Sequence, residues 1–222
     1  MPATFTHECY AMPRHTDWYF DFISPFAYLQ FKHFHRLPAD LEITLKPVLF
    51  AGLLGHWEHK GPAEIPAKRV QTYRYTHWLA KKLGVPFKTP PAHPFNPLRV
   101  LRLACALDGD HAVVEGLFNF VWGSGGNVDD DAALAKLATR FGVSDLAAVI
   151  NQDKVKATLR GNTEEALARG VYGVPTFALD EELFWGFDST EMLLDYLDHP
   201  ALLQDAEMQR LAKLPSAATR KI

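Results

Sequence analysis

The chain has 222 residues, 48% hydrophobic and 12% aromatic, with a net charge of -3. That is enough apolar side chain for one sizeable domain, or a domain with a large insertion, and it excludes a disordered chain. The charges are mixed, no basic stripe points to nucleic acid, and no stretch reaches the roughly 18 uninterrupted apolar residues of a membrane span.

Nothing in residues 1–15 joins a basic start to an apolar run, so this leader reads as neither signal nor transit peptide. The cytoplasm is therefore the expected compartment. Cys9 and Cys105 lie in no Cys-x-x-Cys pattern, and a disulfide between them is not expected in a reducing compartment. Cys105 sits in the apolar run 100–107 and reads as a buried, inert thiol.

In chain order, Trp18-Tyr19-Phe20-Asp21-Phe22-Ile23 predicts a buried strand. Ser24-Pro25 follows at once, with apolar residues at helical spacing behind it. Serine favours the N-cap and proline the first helical position, so a helix starts here and ends by Pro38. Residues 41–46 alternate apolar and polar, a half-buried strand, and the connection is long enough for a parallel β-α-β unit. From Pro62 to Gly170 the pattern is helical: 67–83, 98–107, 111–122, 131–141 and 151–169, with a proline-rich loop over 86–97. Asp129, Asp130, Asp131 and Ser144 are candidate caps. Residues 173–179 and 183–186 then predict two strands joined by a turn at 180–182, hence antiparallel, before a helix from Asp188 or Ser189 to Leu197.

This order resembles a thioredoxin-like α/β fold with a large all-helical insertion, divided as 16–61 with 170–222 for the thioredoxin-like part and 62–169 for the insertion. Where redox members carry Cys-x-x-Cys, this chain reads Ser24-Pro25-Phe26-Ala27, which argues against disulfide exchange. Gly173-Val174-Pro175-Thr176 matches the cis-proline entry to the third strand, and the cis assignment rests on that resemblance. A serine at a helix start can donate to a thiolate supplied by a ligand, and a backbone turned outward at Val174 can pair with an extended peptide. A thiol-bearing peptide that fits is glutathione. The plain reading of Ser24 is an N-cap, and that of Asp188, at the next helix start, is the same. Asp188 is equally suited, with the N–H groups of Phe187 and Asp188, to hold the γ-glutamyl end of glutathione. No Gly-x-Ser-x-Gly elbow surrounds Ser24, which argues against a serine hydrolase.

Asp21-Phe22-Ile23-Ser24-Pro25-Phe26-Ala27-Tyr28-Leu29, Gly61-Pro62, Leu83-Gly84-Val85-Pro86, Gly173-Val174-Pro175-Thr176-Phe177 and Trp185-Gly186-Phe187-Asp188 together resemble the 2-hydroxychromene-2-carboxylate isomerase family. That family is related to the kappa-class glutathione transferases. The resemblance implies a glutathione-dependent cis-trans isomerase, dimeric in many members, that acts on an intermediate of aromatic catabolism. Its thiolate adds reversibly to the ring-opened substrate and is steadied by the serine matching Ser24. Glutathione is implied to contact Val174, Pro175, Trp185, Gly186, Phe187 and Asp188. Family members often carry an asparagine and a lysine after the second strand. Here Glu64 stands where the asparagine is expected, so the small aromatic carboxylate substrate is expected to differ, with Lys60, Lys68 or Arg69 offsetting the charge. Trp57, Glu64, Phe95 and Asn96 are the candidate substrate-binding residues, although an ordinary core role suits either aromatic better. The rival readings are a kappa-like transferase and a noncatalytic thioredoxin-like scaffold. His33 and His35 point to different sides of a helix and His56 and His59 lack a third ligand, so no metal site is expected.

Overall fold

A computed structural model describes residues 14–218. Cys9 and most of the leader assigned above lie outside the described residues. Four strands form one mixed sheet in the order β2-β1-β3-β4. Strand β1 (Arg14–Phe20) is central, parallel to β2 (Leu41–Pro47) and antiparallel to β3 (Thr176–Leu179), which pairs antiparallel with β4 (Glu182–Trp185). The sheet is covered on both faces, which is why β1 reads as a continuous apolar run at its end. Trp18 and Phe20 point into the main core with Phe118 and Phe177, and Tyr19 points the other way, toward Val48, Leu53, Ala166 and Val171.

Helix α1 (Pro25–Phe31) starts at Ser24 as its sequence predicts. Its successors are α2 (Phe50–His56), α3 (Pro66–Lys82), α4 (Leu98–Ala106), α5 (His111–Phe118), α6 (Asp131–Arg140), α7 (Leu146–Ile150), α8 (Asp153–Ala168), α9 (Thr190–Asp198) and α10 (Ala206–Leu211). Among the described residues no helix is long and apolar enough to cross a membrane. Helices α3 to α8 lie between the two halves of the sheet in sequence. Helix α8 nonetheless lies against β2, where Lys46 pairs with Glu165 and Asn162 donates to the Pro47 carbonyl.

Several local expectations shift. The first strand ends at Phe20, not Ile23, because Asp21 turns its carboxylate back to accept from Ile23 N. The helix expected over 111–122 widens into a π turn at Asn119–Gly123. Asp130 caps α6, and Asp145 takes the capping place expected of Ser144 by accepting from Ala148 N. Residues 173–175 precede the strand they were expected to begin. Helices α2, α7 and α10 were not anticipated; α2 and α7 are short apolar runs without helical spacing, and α10 is a single exposed stretch capped by Asp205.

Candidate active site

Parallel strands β1 and β2 end side by side, Phe20 opposite Pro47, and the turn that follows β1 carries Ser24. Sites on such sheets lie beyond the carboxyl ends of the strands. A cavity of about 550 Å³ lined by Arg14, Asp17, Arg169, Asp180 and Tyr196 opens at the opposite end of β1. Its Arg169 is already engaged by Asp17 and the Asp180 carbonyl.

Ser24 caps α1 with extended backbone, its Oγ accepting from Ala27 N at 3.2 Å. Pro25 brings no N–H, and Tyr28 N is taken by the Ser24 carbonyl, so among the described residues Phe26 N–H is the unpaired donor of the first turn. The Ser24 hydroxyl proton points to the Val174 carbonyl at 3.4 Å, long enough to be weak and readily redirected. Val174-Pro175 is a cis peptide, as the resemblance implied. Two motifs 150 residues apart thus meet atom to atom. The Pro175 carbonyl accepts from Gly186 N at 2.8 Å, which draws the segment 185–188 to the same place.

Glycine is required twice around this junction. A Cβ on Gly173 would collide with the Trp185 indole, so glycine lets the ring lie across the backbone before the cis-proline. Gly186 has φ +90°, and a Cβ there would run into the Asp188 carboxylate. Trp185 and Tyr172 stack edge to face at 5.1 Å, both more than 40% exposed, and form an aromatic wall beside Val174. Asp188 is exposed in the turn Phe187–Ser189, where it caps nothing; Ser189 Oγ instead donates to the Gly186 carbonyl. Its carboxylate is free of hydrogen-bond partners among the described residues.

The four residues assigned to substrate stand apart from one another in character. Trp57 is exposed at the end of α2, its indole N–H donating to the Val171 carbonyl at 3.0 Å. Glu64 closes a local cap by accepting from Gly61 N at 2.8 Å. Phe95 packs on the core beside His93, with ring centroids 5.7 Å apart. Asn96 is exposed and accepts from Leu98 N at 3.0 Å at the start of α4.

Residues that sequence reasoning gave no role complete the junction. Asp21 is fully buried beneath it, one oxygen accepting from Ile23 N and the other from Phe50 N, each at 3.0 Å. Burial raises its pKa from 3.8 to about 7 against the two N–H groups that lower it. The signal was present: a lone acid inside Tyr-Phe-Asp-Phe-Ile needs a buried partner. Gln30, also fully buried, accepts from Trp18 Nε1 at 2.7 Å and donates to the Gly186 carbonyl and Thr190 Oγ1, each at 3.0 Å. It links the serine helix to the Asp188 turn. Cys105, the cysteine among the described residues, is buried in α4 with its thiol pushed up to about 12 by desolvation, which leaves it unreactive. Among the described residues no three His, Cys, Asp or Glu side chains cluster as metal ligands would.

A mixed sheet with a helical insertion, a strand-to-helix serine and a facing cis-proline define a thioredoxin-like protein with Ser24-Pro25-Phe26-Ala27, and no cysteine, at the strand-to-helix junction. Residues 16–198 match the DSBA-like thioredoxin domain, and the chain belongs to that family. Glutathione S-transferase kappa 2 of Caenorhabditis elegans is 26% identical over 204 residues, covering 82% of this chain and 91% of the relative. The 2-hydroxychromene-2-carboxylate isomerase of Pseudomonas sp. (strain C18) is 29% identical over 188 residues, covering 80% and 87%. A solved structure of 2-hydroxychromene-2-carboxylate isomerase superposes with a TM-score of 0.74 at 26% identity, covering 87% of this chain and 98% of that one.

Proposed function

We propose that the protein is a glutathione-dependent cis-trans isomerase of the 2-hydroxychromene-2-carboxylate isomerase type, acting on a small aromatic carboxylate. The observation that carries this reading is the contact between Ser24 Oγ and the carbonyl before cis-Pro175. It supplies a hydroxyl donor and a free backbone edge at one point, which suits a peptide bearing a thiol. The cradle fits: Gly173 lets the Trp185 indole close against the backbone before the cis-proline, and Asp188 offers an unpaired carboxylate where an ammonium group needs one. When bound, glutathione would supply a thiolate nucleophile that adds reversibly to the conjugated chain of the substrate and is regenerated.

The chain's own residues then have separate tasks. Ser24 turns its proton from Val174 O toward the ligand's sulfur and holds the anionic form. Val174 pairs with the peptide backbone, Pro175 and Trp185 bound it, and Gly186, Phe187 and Asp188 hold its γ-glutamyl end. Trp57, Glu64, Phe95 and Asn96 remain the proposed surroundings of the substrate. The same reading assigns 16–61 and 170–222 to the glutathione-binding part and 62–169 to the insertion, with a homodimer as the working unit.

Calorimetry with glutathione tests the reading first, and no detectable binding at millimolar ligand would sink it. A kappa-like transferase is the second reading, favoured by the similarity to the C. elegans protein. Turnover separates the two, because an isomerase leaves total glutathione unchanged and a transferase depletes it.

A further inference from the structure

We propose that His93 is a positioning residue for the Ser24 hydroxyl, through which the helical insertion, together with Trp122, fixes the backbone of the catalytic turn. The proposal rests on the role given to Ser24 above. Each peptide group leading into Ser24 is held from outside the turn or by Asp21 at its start. The Phe22 carbonyl accepts from Trp122 Nε1 at 2.7 Å, and the Ile23 carbonyl accepts from His93 Nε2 at 2.8 Å. Ile23 N donates to Asp21 Oδ1, and Ser24 N to the Asp21 carbonyl at 3.1 Å. The donors to the two carbonyls come from chain positions 70 and 100 residues away.

The histidine is fixed in orientation and in tautomer. A carbonyl can only accept, so Nε2 carries a proton, and in the neutral ring Nδ1 then holds the lone pair. The Tyr73 hydroxyl of α3 lies 2.8 Å from Nδ1 and 2.8 Å from the His93 carbonyl, and its single proton is shared between them. The Trp122, Tyr73 and Phe95 rings stand edge to face against the imidazole at 5.3, 5.4 and 5.7 Å. Desolvation lowers its pKa and, with the Arg69 cation on α3 acting in the same direction, outweighs the hydrogen bond to the Ile23 carbonyl, which favours the protonated ring; the imidazole is therefore neutral at neutral pH. Ile23 itself is only partly buried, and water would satisfy its carbonyl if satisfaction were all that was needed. A ring locked on two sides does more: it sets the plane of the Ile23-Ser24 peptide and with it the direction of Ser24 Oγ toward Val174.

His93→Phe keeps the ring packing and removes the donor; His93→Gln returns an amide N–H at about the reach of Nε2; Trp122→Phe removes the second donor. With 2-hydroxychromene-2-carboxylate as the assay substrate and glutathione as the bound thiol, the expected result for His93→Phe is a kcat lower by on the order of 10²-fold, the cost of a misplaced reacting group. The ultraviolet thiolate absorbance of the bound ligand falls with it, while the glutathione Kd is unchanged. His93→Gln recovers most of both signals, and Trp122→Phe repeats the losses of His93→Phe more weakly. Unchanged kcat and thiolate absorbance in folded His93→Phe would overturn the proposal, as would equal losses in His93→Gln and His93→Phe. Isotope-edited NMR of the ligand-free wild type is expected to show the Nε2–H tautomer, and an Nδ1–H tautomer would also overturn it. Failure of the wild type to bind glutathione removes the role of Ser24 and this proposal with it, a result distinct from a failed clamp in a protein that binds.

Discussion

Ser24 combines two roles that a single substitution separates. As a cap it accepts from Ala27 N, and as a donor it offers its proton across to Val174. Ser24→Ala is expected to lose about 1 kcal/mol of stability, the ordinary cost of a cap, measured by denaturant unfolding. Its turnover is expected to fall on the order of 10²-fold, as when one donor to a developing or held anion is removed, with glutathione binding retained in calorimetry. Unchanged turnover would contradict the role. Asp21 beneath it makes a pH prediction with a definite sign. Its folded pKa is raised from 3.8 to about 7, so the folded state holds the proton more tightly than the unfolded chain. The stability it contributes is complete below about pH 4 and is lost as pH rises toward 7. Asp21→Asn is expected to flatten the stability curve over that window, read by unfolding at several pH values; a slope unchanged from wild type would contradict it.

At the scale of elements, the site is a junction of four chain segments tied by buried side chains. Gln30 joins α1 to the Gly186 turn and to α9 through Thr190. Gln30→Leu keeps the volume but strands Trp18 Nε1, at roughly 1–3 kcal/mol for a buried group left unpaired, and removes one of two bonds at the Gly186 carbonyl and at Thr190 Oγ1, which keep Ser189 Oγ and the Phe187 carbonyl. A loss of about 2–4 kcal/mol in unfolding free energy is expected, with weaker glutathione binding because the Asp188 turn is released; full affinity in the variant would contradict this coupling. These ties mark the limit of what the sequence shows. Ser24-Pro25 and Val174-Pro175 carry local chemistry, cap and imide, and so were legible as elements. Their meeting was legible only through resemblance, and the tie at Gln30 not at all, because a glutamine on an apolar helix face does not reveal which distant carbonyl it reaches. His93 and Trp122 were hidden for the same reason: their partners are main-chain carbonyls, which leave no pattern.

Across the whole molecule, the fold follows from covering a sheet whose central strand is apolar on both faces. The order of strands and helices was readable from hydrophobic periodicity, while α2 and α7 were missed because tertiary burial, not spacing, makes them helical. Charge is unevenly spread. The chain is net acidic at -3, yet α3 carries Lys68, Arg69, Arg74, Lys81 and Lys82 and no acid. This helix abuts the site, with Tyr75 6.1 Å from Phe26, the residue two beyond Ser24. A cationic helix beside the proposed site for anionic molecules raises their encounter rate in a salt-dependent way. The kcat/KM for a carboxylate substrate is therefore expected to fall several-fold as ionic strength rises, and less so in Arg74→Gln/Lys81→Gln; an equal salt dependence in both would exclude steering by α3.

The central claim is that a glutathione thiol meets Ser24 across the cis-proline, and a crystal structure of the glutathione complex tests it most directly. The account predicts the ligand's sulfur within hydrogen-bonding distance of Ser24 Oγ, its backbone paired with Val174, and its γ-glutamyl ammonium beside Asp188. Glutathione seated elsewhere, or with its sulfur turned away from Ser24, would contradict it.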